Sequence, residues 1–294
     1  MVKIFSIIVF LSIILVAESS FLDEGRNSTI TDNTSVIVDT LLTSKIKTFV
    51  SEEEFLKNED FIKLIFSPEA EYYRSQRVDV VKVIQTLKEN GLLNLFFDKP
   101  QELTLSFRTS ESPLFFVKIM GDTLRNIGYY RYVTAESNLD SSQFTWTIVL
   151  TAEYATDPLI LQEELVKSGC GIVDIVKVTP QEWKYSIDMS EAHLNIPTLV
   201  SDEELMLKRS LYAHWLNVSD IQNLSIQSSF RDSWYPNITY YDKKLRLLEV
   251  MKENKKTRNI FLLIPKAAKY IKISDMYTLK NVKDNLILKP TGSR

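Results

Sequence analysis

The chain has 294 residues, of which 45% are hydrophobic and 11% aromatic, so it has enough apolar material for packed cores and disorder is not expected. The formal net charge is −3 and the pI is near 5.6, which argues against a nucleic-acid-binding protein because such proteins carry a basic surface. The single cysteine, Cys170, excludes an internal disulfide.

The N-terminus has the pattern of a secretory signal. Lys3 precedes an apolar run over residues 4–16, and small residues follow at Ala17 and Ser19. This run is too short for a permanent membrane span, which needs about 20 residues. We therefore predict a signal peptide over residues 1–19 and a periplasmic or secreted mature chain with no permanent membrane span. An uncleaved anchor is the alternative.

Residues 20–50 are rich in Ser, Thr, Asn and Asp and are predicted to form a linker or peripheral segment. Ser51 and Glu54 have the spacing of a capping box, and apolar residues from Phe55 to Ile65 recur at helical spacing. A helix is therefore predicted to open an α+β domain over residues 51–190.

The middle of the chain repeats one pattern three times. In each copy a leucine is followed four residues later by a glycine, then by a strand-like run, a turn and a second strand-like run; the pairs are Leu87 with Gly91, Leu124 with Gly128, and Leu165 with Gly169. A glycine at the end of an amphipathic helix predicts a positive φ at the C-terminal cap. The pattern predicts tandem helix-plus-β-hairpin (αββ) repeats that combine into a ferredoxin-like arrangement.

Cys170 follows the third capping glycine, Gly169, where Leu92 and Tyr129 stand in the other copies. A position that takes Leu, Tyr and Cys is a packing position, and free cysteine behaves as a small buried hydrophobe. Cys170 is therefore predicted to be structural, like the three glycines, and not a nucleophile.

The C-terminal part of the chain, from Ser201, is predicted to contain mainly strands. Ser201 and Glu204 form a second capping-box pattern, which predicts a connecting helix within residues 191–213. Over residues 214–294, strand-like runs are separated by Asn, Lys, Asp and Pro, which predicts a small antiparallel β-sandwich. The basic run 252–258 is interpreted as a solvated turn.

An aromatic segment over residues 230–241 is the candidate binding site. Aromatic rings beside charged groups can stack on a sugar or on an apolar partner surface. The residues assigned to binding in this hypothesis are Arg231, Trp234, Tyr235 and Tyr240. The alternative is that about half of the aromatic residues fill the core of the sandwich.

Catalytic patterns are missing from the sequence. His193 and His214 are the two histidines, and neither has ligands at the spacing of a zinc site. The chain also lacks a GxSxG motif and a glycine-rich phosphate loop. We therefore expect no catalytic residues, no metal and no cofactor, and the chain is predicted not to be an enzyme.

The predicted function is protein–protein contact in the cell envelope, as a component or accessory of an envelope assembly, through strand edges of the repeats and the aromatic segment. In topology, tandem helix-plus-hairpin modules in an exported protein resemble those of secretion pores and outer-membrane assembly complexes. One alternative is binding of carbohydrate or peptidoglycan, with a polysaccharide as the ligand of the C-terminal β-domain. Another is a hydrolase whose carboxylates come from distant positions.

Overall fold

The computed structural model describes residues 40–294, which form a mixed α+β structure; the predicted signal peptide and residues 20–39 of the predicted linker lie outside the described residues. The helices are α1 (Leu41–Lys47), α2 (Glu52–Lys57), α3 (Glu59–Ile65), α4 (Val80–Glu89), α5 (Pro113–Asn126) and α6 (Pro158–Val166).

The strands form a short hairpin, a five-stranded sheet and two four-stranded sheets. They are β1 (Tyr73–Arg74), β2 (Arg77–Val78), β3 (Phe96–Thr109), β4 (Val133–Leu139), β5 (Phe144–Tyr154), β6 (Gly171–Thr179), β7 (Glu182–Asp188), β8 (Leu205–Leu207), β9 (His214–Asn217), β10 (Ile221–Gln227), β11 (Pro236–Tyr241), β12 (Leu247–Lys252), β13 (Asn259–Leu263), β14 (Tyr270–Asp275) and β15 (Leu286–Ser293).

Helical structure is present before the predicted domain start at residue 51. The capping box of Ser51 and Glu54 is confirmed, since the Ser51 hydroxyl accepts from the Glu54 N–H at 3.2 Å and the Glu54 carboxylate accepts from the Ser51 N–H at 3.4 Å. The linker prediction is wrong for residues 41–50, where α1 and the turn after it bury Leu42, Ile46, Phe49 and Val50. These apolar side chains lie one helical turn apart, a pattern that the polar residues around them conceal.

The three glycines have the positive φ that the sequence predicts: 71° at Gly91, 101° at Gly128 and 66° at Gly169. In each case the residue after the glycine donates its N–H to the carbonyl of the predicted leucine, as in a Schellman motif. These bonds join Leu92 to Leu87 at 2.8 Å, Tyr129 to Leu124 at 2.8 Å, and Cys170 to Leu165 at 3.1 Å. The three helices therefore end by one local mechanism.

The five-stranded sheet has the order β4-β5-β3-β7-β6. Its inward side chains, such as Leu105 and Phe107, belong to one buried cluster with Ile84, Phe116 and Leu161 from the helices. Hairpins follow α5 and α6, but α4 leads into the single long strand β3. The sheet also departs from the predicted ferredoxin-like arrangement, because β7 lies beside β3 and parallel to it, and β6 forms the edge.

The C-terminal residues form a sandwich of two antiparallel sheets, β13-β10-β15-β8 and β12-β11-β14-β9. Side chains of both sheets share one buried cluster, which includes Leu224 and Leu288 from one sheet and Ile238 and Ile273 from the other.

The connecting helix predicted within residues 191–213 is wrong, since the structure has no helix there and β8 lies within that range. Asp202 has a φ of 64°, which a helix does not allow, and Glu204 pairs with Lys289 at 3.4 Å. Pairing of β8 with β15 outweighs the local capping signal, because it also buries Leu207 in the core of the sandwich.

The sandwich packs against the α+β region. Leu245, in the turn between β11 and β12, is buried in the cluster of the α+β region and has a φ of 56°. Lys118 of α5 lies over the Trp215 ring at 5.1 Å, and Lys244 pairs with Glu111 at 3.0 Å. Leu245 therefore adopts a backbone conformation unusual for leucine where it joins the two regions.

Helices long and apolar enough to span a bilayer are not found among the residues that the structure describes.

Candidate functional site

The aromatic segment divides between core and surface. Trp234 is fully buried and donates its Nε1–H to the Ser274 carbonyl at 3.0 Å, and Tyr240 is buried in the same cluster. Burial, with a smaller contribution from the charge of Glu249, raises the pKa of the Tyr240 phenol to about 12. The binding assignment of Trp234 and Tyr240 is therefore corrected: both fill the core, because their side chains point between the two sheets.

Arg231 and Tyr235 reach the surface, and each already has a partner. The Arg231 guanidinium binds Asp284 in a two-pronged ion pair, through Nε at 2.8 Å and through Nη2, and this hydrogen bonding lowers the pKa of Asp284. The Tyr235 ring meets the Tyr277 ring edge-on, with centroids 5.1 Å apart. Ser229 also donates to Asp284, at 2.6 Å.

Two buried carboxylates hold the loops that carry these residues. Asp232 accepts backbone N–H bonds from Ser229 at 2.9 Å, Lys283 at 2.7 Å and Asp284 at 3.1 Å. Asp275 accepts from the N–H groups of Tyr235, Tyr277 and Thr278 at 2.8 to 2.9 Å. Each carboxylate therefore links segments that are far apart in sequence.

These loops display two exposed aromatic residues that are not among the four predicted to bind: Phe230 lies within the predicted aromatic segment, and Tyr277 lies outside it. Phe230 is 73% exposed and Tyr277 is 67% exposed. Tyr277 comes two residues after Asp275, a spacing typical of an Asx turn, which is the sequence signal that could have located this loop. The exposed aromatic residues of these loops are thus Phe230 and Tyr277, and the half-buried Tyr235 packs against Tyr277.

A second candidate surface is the free edge of β13. Among the described strands β13 pairs only with β10, so its other side has no strand partner. Its five residues include no charge and no proline, and Phe261 and Leu263 are 62% and 73% exposed. Phe261 lies beside Ser225 and Leu263 beside Asn223. A shallow groove of about 280 Å³ on the face of this sheet, across β13, β10 and β15, is lined by Ser225, Gln227, Phe261, Ile287 and Lys289, among others.

The residues leading into β13 are basic. Lys252, Lys255, Lys256 and Arg258 are all exposed, as expected of the solvated turn predicted there. The acidic residue in this stretch, Glu253, accepts the Lys255 N–H at 3.2 Å. An excess of positive charge therefore lies at one end of the uncharged edge.

The strand edges of the α+β region, which were predicted as contact surfaces, differ from β13. Every residue of β4 is exposed, but Glu136 places a charge in the middle of that strand. The edge strand β6 is partly covered by α1 and the turn after it, since Lys45 donates to the Ile175 carbonyl at 3.2 Å and Lys177 donates to the Phe49 carbonyl at 2.9 Å. Of these three edges, β13 is the uncharged one.

The environment of Cys170 does not favour nucleophilic chemistry. The side chain is buried, and its Sγ lies 3.5 Å from the Ser168 carbonyl. Burial, and to a lesser degree the charge of Asp188, raises the pKa of the thiol to about 12. The thiolate needed for a nucleophile is therefore scarce at neutral pH.

The two histidines lie in different environments. His193 is exposed, with Nδ1 3.2 Å from the Glu191 carbonyl, and burial lowers the pKa of the half-buried His214. Within residues 40–294, His, Cys, Asp and Glu side chains form no group of three or more that could hold a metal ion.

Comparisons with known proteins add little. No family model and no curated protein sequence matches this chain. One similar solved structure is described as the crystal structure of accessory secretory protein 1, 2 and 3 in Streptococcus pneumoniae, with 15% identity over 32% of this chain and 74% of that chain. Its TM-score is 0.19, so this similarity supports no argument about fold or function.

Proposed function

We propose that this chain is an exported, non-enzymatic protein that acts by protein–protein contact in the cell envelope, and that a strand of the partner adds to β13. The observation that carries this proposal is the free, uncharged edge of β13 with Phe261 and Leu263 exposed. Natural proteins protect edge strands with charge, proline or a bulge, because an open edge pairs with other chains. An edge without these features is suited to strand addition.

The partner strand has a defined chemistry under this proposal. The partner strand carries apolar side chains opposite Phe261 and Leu263 on the outer face of the sheet, because opposed apolar side chains stabilise strand pairs. Near Lys255, Lys256 and Arg258 the partner carries acidic groups, since opposite charges steer association. A second copy of this chain fits less well: antiparallel pairing of two β13 strands would bring this basic segment close to Lys266 of the other copy.

The interpretation of the α+β region as three helix-plus-hairpin repeats belongs to the same proposal. Three identical helix ends, each leading into the five-stranded sheet, support it. In this interpretation the first copy has the single long strand β3 in place of a hairpin. The hairpin of the last copy contributes β7, which pairs with β3.

A photo-crosslinking experiment tests the contact. A photoreactive phenylalanine analogue replaces Phe261 in the exported full-length chain, and the matched control places it at Leu139 on the edge of β4. We expect one discrete crosslinked partner at position 261, lost when Leu263→Lys is added, and no such product at position 139. Equal products at both positions, or a product that survives Leu263→Lys, would contradict strand addition at β13.

A second candidate function is carbohydrate binding at the sandwich loops. The observation that favours it is the exposure of Phe230 and Tyr277 on loops fixed by the buried carboxylates of Asp232 and Asp275. A rigid aromatic surface suits stacking on a sugar ring. Sedimentation with insoluble peptidoglycan, comparing the wild type with Phe230→Ala and Tyr277→Ala, tests this function: loss of sedimentation in the variants supports it, and the absence of wild-type binding contradicts it.

A further inference from the structure

A large groove lies outside the sandwich, in the α+β region. It has a volume of about 810 Å³ and is found where the C-terminal ends of β3 and β7 meet the start of β6. The helix α1 and the β1–β2 hairpin form its other walls. A volume of this size is typical of small-molecule sites, which are about 300–1,000 Å³.

Two guanidinium groups in this groove have unused hydrogen-bond donors. Arg108 donates through Nη2 to the Ser186 hydroxyl at 3.1 Å, and it forms no ion pair with a described residue. The Arg77 guanidinium makes neither a hydrogen bond nor an ion pair with the part of the chain that the structure describes. A guanidinium carries five N–H donors in a planar fork that matches a carboxylate.

The other charges of the lining are already engaged. Lys45 pairs with Asp174 at 2.6 Å, so these two charges offset each other. The Asp188 carboxylate accepts from the N–H of Ser190 at 3.0 Å and from its hydroxyl at 3.1 Å. Three cations and two carboxylates line the groove, which leaves one positive charge in excess. This single positive charge in excess, which the nearby Asp140 carboxylate reduces further, favours a monoanion over a dianionic phosphate.

Asp140, in the turn between β4 and β5, lies outside the lining but near enough to Arg108 for the two charges to interact. Its carboxylate accepts from the N–H groups of Ser142 and Gln143, and these bonds lower the pKa of Asp140, with Arg108 adding a smaller effect. Because Asp140 is satisfied by its own turn, Arg108 keeps donors for a ligand.

The hairpin that presents Arg77 has an unusual backbone. Ser75 and Gln76 have φ values of 49° and 67°, in the region that favours glycine. Such conformations persist where neighbouring contacts hold them, and they concentrate at functional sites. The contacts here are the Arg74–Asp79 ion pair at 3.3 Å and the bond from the Leu42 N–H to the Tyr73 hydroxyl at 3.3 Å. Arg77 therefore lies at the rim on a fixed turn.

We propose that this groove binds the C-terminal carboxylate of a peptide, with Arg77 and Arg108 as the carboxylate-binding residues. The apolar lining residues Leu41, Val78, Val173 and Ile187 accommodate the aliphatic side chains of that peptide. The polar lining residues, such as Gln76, Ser110 and Gln143, can bond to the backbone groups of the same peptide. A uronic acid has no aliphatic side chain to place against the four apolar residues, so the combination suits a peptide better. The proposal is independent of strand addition at β13, which is on the sandwich.

The test is calorimetric titration of the full-length protein with a valine-ending tripeptide, with the C-terminal amide of that tripeptide, and with glucuronate. We expect the free acid to bind at least about tenfold more tightly than the amide, as loss of a charged hydrogen-bonded pair implies. Glucuronate is expected to bind more weakly than the tripeptide. Equal affinity of acid and amide, tighter binding of glucuronate, or no binding of the tripeptide would overturn the proposal.

A matched set of variants locates the site. Arg77→Gln with Arg108→Gln removes both guanidinium groups, and Arg131→Gln removes an exposed arginine that lines a different groove. The double variant should lose about tenfold or more in affinity for the tripeptide, and Arg131→Gln should match the wild type. Both arginines of the groove are exposed, so melting should not change. Wild-type affinity in the double variant would overturn the assignment.

Discussion

The indole Nε1 of Trp234 donates a hydrogen bond to the backbone carbonyl of Ser274 at 3.0 Å from within the buried core of the sandwich. This bond fixes the start of β11 against β14, and the next residue, Tyr235, therefore turns toward the surface and the Tyr277 ring. The buried carboxylates of Asp232, two residues before Trp234, and of Asp275, the residue after Ser274, hold the adjoining loops. The core position of Trp234 thus supports the exposed aromatic loops beside it.

Trp234→Ala should destabilise the protein by about 3–5 kcal/mol, because it removes a large buried ring and leaves a cavity. Denaturant unfolding of the wild type and the variant measures this change. Tyr277→Ala is the matched control, since that ring is exposed and its loss should change stability by less than about 1 kcal/mol. A Trp234→Ala protein with wild-type stability would contradict the core assignment.

The three capping glycines should not be equally sensitive to alanine. A Cβ at Gly169 would lie 2.2 Å from the Glu191 carbonyl oxygen, whereas at Gly91 and Gly128 nothing lies within 4 Å. All three alanine variants incur the cost of a left-handed backbone, about 1–2 kcal/mol. Gly169→Ala should be the least stable, because the Glu191 backbone must also move. Thermal melting of the three variants checks this order of stability. Equal losses of stability in all three would contradict the predicted clash between the Cβ at position 169 and the Glu191 backbone.

Cys170 should resist alkylation in the folded protein. Burial raises the pKa of its thiol to about 12, so iodoacetamide at pH 8 should react slowly until the chain unfolds. Mass spectrometry with and without denaturant measures the difference. Cys170→Ala should cost about 1 kcal/mol of stability, as a small core truncation does. Rapid labelling of the native protein would show that the thiol is accessible.

Asp242 should make stability depend on pH in the acid range. Burial alone would raise the pKa of this carboxyl, but the backbone N–H and the guanidinium of Arg246, with the Lys244 N–H, lower it overall. Because the pKa of Asp242 is lower in the folded state, its charged form stabilises the folded protein. This stabilisation is complete at a pH above the unfolded-state pKa of about 3.9, and it is lost as the pH falls through the folded-state pKa.

Asp242→Asn should therefore be less stable than the wild type at pH 7, by about 1–3 kcal/mol for a lost charged hydrogen-bonded group. The difference should shrink as the pH falls below about 4, where the Asp242 carboxyl takes up a proton first in the unfolded chain and then, at its lower pKa, in the folded protein. Urea unfolding at pH 7 and at pH 3 measures both values. A difference that grows on acidification would contradict the sign of the pKa shift.

Features that depend on neighbouring residues were predicted well. The capping box at Ser51 and the positive φ at Gly91, Gly128 and Gly169 involve hydrogen bonds within one helical turn, so the sequence contains all the atoms that decide them. The same local rule failed at Ser201, where the pairing of β8 with β15 determines the backbone. That pairing depends on residues far along the chain.

The sequence by itself determined a mixed α+β chain with three glycine-capped helices and a strand-rich C-terminal part. Only the tertiary structure decided that Trp234 and Tyr240 are buried while Phe230 and Tyr277 are exposed, because exposure depends on which sheet covers each side chain. It also decided that Arg77 and Arg108 line one groove and that β13 has a free edge, since both follow from the order of strands in the sheets. Composition and periodicity do not specify that order.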